Sequence, residues 1–165
     1  MAHSGVYKVK NREKYRGDPD NVIYRSSWEK AAFKWCDMNS DITKWASEEV
    51  VIPYKYDVSK RKHRYFPDLK ITFKDGRTIL VEIKPAKETV KPEYPGRKTQ
   101  RYMTESLTFV KNKNKWDAAE KYAQDRGWEF QIWTEHDLQS MGIMKKGFKK
   151  LKPLPKAPGF KKKKA

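Results

Sequence analysis

Pro67-Asp68 and Glu82-Ile83-Lys84 supply two carboxylates and a lysine, with fourteen residues from Asp68 to Glu82. That set suits metal-assisted hydrolysis of a phosphodiester, in which hard oxygen ligands hold a divalent cation beside a phosphate. Between them, Leu69-Lys70-Ile71-Thr72-Phe73 and Thr78-Ile79-Leu80-Val81 are apolar-rich runs joined around Lys74-Asp75-Gly76. This pattern predicts a β-hairpin. Strand side chains alternate with period two, so Glu82 and Lys84 share a face and Ile83 points away from it. A two-residue turn at Asp75-Gly76 would set Asp68 against Ile83, on the wrong face. A three-residue loop with Gly76 left-handed shifts the pairing by one. Asp68 then faces Glu82, Leu69 faces Val81, and Ile71 faces Ile79. Hydrophobic matching and assembly of the charged set select the same register.

The elements that must position this hairpin are legible in outline. Ser26 or Ser27 caps a helix carrying Trp28, Ala31, Ala32, Trp35 and Cys36 at helical spacing, with Asn39-Ser40-Asp41 at its end. Val50-Val51-Ile52 with Tyr54 predicts a short strand, near an edge or a strand end because of Pro53. Residues 57–62 read as a basic loop, and residues 63–73 and 77–84 as the hairpin. Residues 85–98, with Pro85, Pro92 and Pro95-Gly96, read as a loop. Residues 101–126 predict a long helix with Trp116, Ala119, Tyr122 and Ala123 inward, stopped at Gly127. Trp128, Phe130 and Ile132 give a further strand, and Thr134 with Asp137 caps a short helix.

The chain has 165 residues, 38 Lys and Arg against 21 Asp and Glu, and a net charge of +17. The length fits one domain, and the charge points to a polyanionic partner, most simply nucleic acid. Six Trp and nine Tyr exclude a wholly disordered basic protein. Cys36 is the single cysteine, so no internal disulfide framework forms and a reducing compartment is expected. No apolar run reaches membrane-spanning length and no signal-peptide pattern is present, which predicts a protein that is not secreted. The expected division is a basic N-terminal arm over residues 1–24, a domain over 25–140, and a disordered Lys/Pro-rich tail over 141–165. From Leu138 onward there are ten lysines and no acidic residue.

The element order with Pro-Asp and Glu-x-Lys resembles the PD-(D/E)XK nuclease superfamily, whose core is αβββαβ, a mixed central sheet flanked by helices. The segments Arg25-Ser26-Ser27-Trp28-Glu29, Trp45-Ala46-Ser47-Glu48-Glu49, Arg64-Tyr65-Phe66-Pro67-Asp68, Val81-Glu82-Ile83-Lys84-Pro85 and Trp133-Thr134-Glu135 look narrower. They resemble the head completion nucleases of T4-like bacteriophages, which in turn are similar to the TnsA transposon endonuclease. The likeness covers roughly residues 5–140 and leaves the lysine tail out.

The resemblance implies a metal-dependent endonuclease made late in infection. It would act on packaged DNA or its end, in the virion head and in the host cytoplasm during assembly, before tails join. Asp68, Glu82 and the backbone carbonyl of Ile83 would then ligate Mg2+, with Mn2+ as a substitute. Glu29 would join directly or through water, or simply cap its helix. Lys84 would steer the attacking water, help deprotonate it, or hold a phosphate oxygen. Arg61, Lys62, Arg64, Lys111, Lys113 and Lys115 are candidate phosphate contacts. Glu48 and Glu49 read as solvated strand-end charges. His3, His63 and His136 are scattered without zinc-ligand spacing. Head or portal-vertex proteins are the implied partners. A structural DNA-end or portal-binding protein, a transposon-type subunit and a basic binding module are the competing readings; the last accounts for the charge but not for the hairpin.

Overall fold

The computed structural model describes residues 4–145. The first strand, β1 (Gly5–Val6), pairs with β2 (Ile23–Tyr24), and between them lies a 3-10 turn at Arg12–Lys14. Helix α1 (Ser27–Met38) follows, with Ser26 at its cap accepting from the Glu29 N–H at 3.1 Å. Next come β3 (Ile42–Ser47), β4 (Ile52–Tyr56), β5 (Arg61–Tyr65), β6 (Leu69–Phe73) and β7 (Thr78–Ile83). Helix α2 (Gln100–Asp125), strand β8 (Glu129–Trp133) and helix α3 (Glu135–Ser140) complete the order. The central sheet runs β3-β6-β7-β8; β3, β6 and β7 are antiparallel neighbours and β8 lies parallel to β7. A parallel neighbour needs a long crossover, and α2 provides it. This mixed sheet with helices on both faces is the αβββαβ architecture expected from sequence.

The two faces of the sheet bury different sets. Leu69, Ile71, Ile79, Val81 and Ile83 pack with Ala32, Phe33 and Cys36 of α1. Leu80 packs on the other side with Trp116, Ala119 and Ala123 of α2. All six residues of β7 are buried, as a central strand covered on both faces requires. The hairpin register is the expected one: Leu69 opposes Val81 and Ile71 opposes Ile79. The loop closes with Phe73 N–H donating to the Arg77 carbonyl at 2.8 Å, and Gly76 stands at φ +95°, where a side chain would be strained.

Three local expectations are corrected. The first core strand is β3, not the 50–54 run. A register shift between Ile42 and Lys44, with Thr43 and Lys44 both exposed, breaks the alternation that would have revealed it. The 50–54 run falls in β4, which pairs with β5 as a separate two-stranded ribbon; there the missing N–H of Pro53 costs little. The stretch 63–73 is not one strand, because Phe66-Pro67 breaks it into β5 and β6. The loop expected over 57–62 is a turn at residues 57–60, with Arg61 and Lys62 already in β5.

The N-terminal segment is built into the core. Tyr7, Val9, Tyr15 and Val22 are buried in it, and the Tyr15 and Trp45 rings meet edge-on at 4.8 Å. Its latch is Asp37 of α1, which is fully buried and accepts from the Tyr7 hydroxyl at 2.7 Å and the N–H groups of Lys10 and Asn11 at 2.8 and 2.9 Å. The Lys14 ammonium donates to the carbonyls of Cys36, Asp37 and Asn39, closing the helix end. Burial pushes the Asp37 carboxyl up, but its donors outweigh that and hold it below the ordinary value. A depressed carboxylate stabilises the fold above its unfolded-state pKa, and that contribution is lost as pH falls through the folded value. Asp37→Ala leaves three donors without their acceptor and is expected to cost about 3 kcal/mol in urea unfolding at neutral pH. An unchanged midpoint would mean that the segment is not held through this residue.

The ordered fold runs past residue 140: Met144 is buried, and the N–H groups of Ile143 and Met144 both donate to the Leu138 carbonyl. The remainder of the expected tail, residues 146–165, lies outside the described residues. Among the described residues no helix is long and apolar enough to cross a membrane.

Candidate active site

Asp68 and Glu82 meet where β6 begins and β7 ends. The Asp68 Oδ2 accepts from the Ile83 N–H at 2.7 Å, which clamps its side chain across the hairpin. Glu82 is buried; its Oε1 accepts from the Tyr65 hydroxyl at 2.5 Å and its Oε2 lies 3.5 Å from the Lys84 ammonium. Burial, then the charge of Glu82, pushes the Asp68 carboxyl well above the ordinary carboxylate range; Ile83 N–H and Lys84 offset part of this, while Glu29 adds to it. Burial also raises Glu82, against the opposing pull of Tyr65, Lys84 and Lys115. Two acids driven toward protonation by lost solvent are a site where an added cation restores the balance.

Tyr65 ends β5 and is itself buried, so desolvation and the neighbouring Glu82 push its phenol far up and keep it a donor. Lys115 arrives from α2, its ammonium 5.6 Å from the Tyr65 ring centroid. Burial lowers the Lys115 pKa against the attraction of Glu82. The carboxylates open into a cleft of about 350 Å³, lined by Arg25, Glu48, Arg64, Phe66 and Lys115 among others.

Glu29 sits in the first turn of α1, where its Oε1 accepts from the Arg25 N–H at 2.8 Å while its own N–H caps onto Ser26. It therefore makes the capping contact, and burial followed by the repulsion of Glu48 and Glu82 raises its pKa. Among the described residues no three His, Cys, Asp or Glu side chains stand close enough to share one ion. Glu29 stands outside the Asp68–Glu82 pair, and its charge raises the Asp68 carboxyl. Glu48, read from sequence as a solvated charge, instead lines the cleft in an ion pair with Arg25, on a backbone at φ +53°.

The basic candidates divide. Arg64 and Lys115 line the cleft. Arg61 and Lys62 lie on the exposed ribbon. Lys111 sits 5.2 Å from the Tyr56 ring centroid, whereas Lys113 pairs with Asp117 on the helix surface. His63 is stacked on Tyr54 at 5.5 Å with a buried Nε2, which removes it from the cleft lining. Two residues were missed. Tyr65 carries no local signal, because its partner is seventeen positions away. Glu135 accepts from the Ala86 N–H at 2.8 Å and so ties α3 to the loop after Lys84.

The sequence profile of the TnsA-like endonuclease N-terminal domain matches residues 39–135, a span holding Asp68, Glu82 and Lys84 but not Glu29. The head completion nuclease of Enterobacteria phage T4 is 44% identical over 147 residues, covering 87% of this chain and 98% of that protein.

Proposed function

The chain belongs to the family of the T4 head completion nuclease, built on a TnsA-like endonuclease domain, and from that premise we propose that it is a metal-dependent DNA endonuclease. Its substrate is packaged phage DNA or the end of that DNA, during head completion and before tail joining. The observation that supports this best is the convergence of Asp68, Glu82, Tyr65 and Lys84 at one sheet end, beside a cleft that Arg64 and Lys115 also line. The donor set fits a hard divalent cation: two carboxylates, with one Asp68 oxygen held by the Ile83 N–H and the other free to ligate, and with Glu82 Oε2 3.5 Å from the Lys84 ammonium that a cation would displace. Mg2+ is the proposed ion, with Mn2+ able to replace it. Asp68, Glu82 and the Ile83 carbonyl would hold it, and it would supply charge neutralisation at the phosphate and a more acidic water.

The chain's own groups supply the rest. Tyr65 and the Ile83 N–H fix the carboxylate rotamers. Lys84, on the same face as Glu82, holds a phosphate oxygen or steers the attacking water. Lys115 presents a second cation to the phosphate from α2. Glu29 positions the start of α1 and would join the ion's shell through water. A protein that binds DNA ends or the portal without hydrolysis explains the charge, but leaves the buried Tyr65–Glu82 pair and its Lys84 partner without a use. Filled heads and their portal-vertex proteins in the host cytoplasm are the proposed assembly partners.

Linear, circular and branched DNA incubated with Mg2+ or EDTA tests this directly. Wild type is expected to cut only with Mg2+, and Lys84→Ala to cut about 10²–10⁴ times more slowly. Tight binding of every DNA with no cutting, on heads as well as on free DNA, would favour the structural reading.

A further inference from the structure

The β4–β5 ribbon lies outside the central sheet and carries an imbalance that its own packing does not explain. Its inner face, Ile52, Tyr54 and Tyr65, packs on α2. Register puts the alternate residues outward: Pro53 opposite Arg64, and Lys55 directly opposite Lys62. Like charges facing across two strands destabilise the pair. Lys55, Lys62 and Arg64 are exposed, and among the described residues none of the three is in an ion pair. Some exposed cations elsewhere do have partners, as Arg101 does with Glu105 and Lys121 with Asp125, but here two unpaired lysines are set directly against each other. The single acid of the ribbon, Asp57 in its turn, is engaged with Asn114 of α2 through two hydrogen bonds of 2.9 and 3.1 Å.

This face leads into the cleft. Arg64 and Phe66 line the cleft, their guanidinium and ring 5.9 Å apart, and Asp68 lies two residues further on. We propose that the outward face of the β4–β5 ribbon is a rail for the DNA backbone, with Lys55, Lys62 and Arg64 neutralising phosphates on one side of the cut. From Lys62 to Asp68 the chain spans at most about 20 Å, or roughly six base pairs of duplex. Phosphate contacts of this kind set position without reading sequence. The inference rests on DNA being the substrate of the cleft and adds where that DNA lies.

The test is binding of a fluorescent 20-base-pair duplex in EDTA, so that hydrolysis plays no part. Lys55→Thr/Lys62→Thr is expected to raise the Kd about 10-fold or more near 0.1 M salt. It should also flatten the slope of log K against log salt by about two. The melting midpoint of the double variant should equal or exceed that of wild type, because two opposed like charges are gone. Wild-type affinity and salt slope in the double variant would overturn the rail while leaving the nuclease reading intact. Failure of the wild type to bind the duplex at all would overturn both. Unchanged duplex binding with lost attachment to filled heads would assign the face to an acidic protein surface and overturn the proposal.

Discussion

Asp68→Asn is expected to stop DNA cutting and, in EDTA, to make the protein harder to unfold. The two effects share one cause. Burial and the neighbouring Glu82 charge press the Asp68 carboxyl toward its neutral form, so that ionising it in the fold carries a cost. Asparagine keeps the shape and an oxygen for the Ile83 N–H, but removes the charge. A gain of about 1–2 kcal/mol is expected, in line with the replacement of buried ions and with the stability that active sites give up. The sign with pH follows. A carboxyl whose folded pKa is raised lowers stability as pH climbs from the ordinary carboxylate range to the raised value, and the loss is complete above it. Wild type in EDTA should therefore gain stability on mild acidification, and Asp68→Asn should gain less. Cutting should fall by about 10³-fold or more, since several kcal/mol of charge stabilisation go with the ligand. An Asn variant less stable than wild type in EDTA would show that the Asp68 charge serves the fold.

Tyr65→Phe is expected to weaken the response to Mg2+ by about 10–100-fold while leaving the fold intact. A partner that fixes the orientation of a ligating group commonly has an effect of this size. The Tyr65 hydroxyl donates to Glu82 Oε1, and phenylalanine keeps the ring that packs against Leu80 and Trp116. Loss of this hydrogen bond should cost roughly 1–2 kcal/mol of stability. The Mg2+ concentration for half-maximal cutting separates the two roles: it rises if Tyr65 positions Glu82, and stays fixed if Tyr65 only packs. Cutting at saturating Mg2+ should recover most of the wild-type rate.

How much could be read in advance depended on how local the physics was. The β6–β7 register was legible because apolar matching, the three-residue loop at Gly76 and the facing of Asp68 and Glu82 all agreed. Helix α1 announced itself through its Ser26 cap, α2 through Trp116, Ala119 and Ala123, and α3 through Thr134 and Asp137. Strand β3 was hidden, since its irregular register leaves Thr43 and Lys44 both in solvent. The N-terminal segment looked like a basic arm because the buried acceptor that anchors it, Asp37, lies far along the chain and reads as an ordinary helix charge. Tyr65 has the same character, and Lys115 was legible only as a candidate phosphate contact, not as a neighbour of Glu82. Their roles come from β5 and α2 closing over Glu82, a contact between distant segments. Glu29 and Glu48 were ambiguous for another reason: each is satisfied by a local partner, around Arg25, and also feels the acids of the cleft.

The central claim is that Asp68 and Glu82 form a cation site that drives hydrolysis, and ion binding tests it without dependence on the choice of DNA or on the capsid. Mn2+ titrated into the protein, followed by the free-ion paramagnetic resonance signal, should show one saturable class of site. That class should be lost in Asp68→Asn/Glu82→Gln, a variant that still melts cooperatively. Mn2+ binding equal to wild type in the double variant, or no saturable binding by the wild type, would contradict the claim.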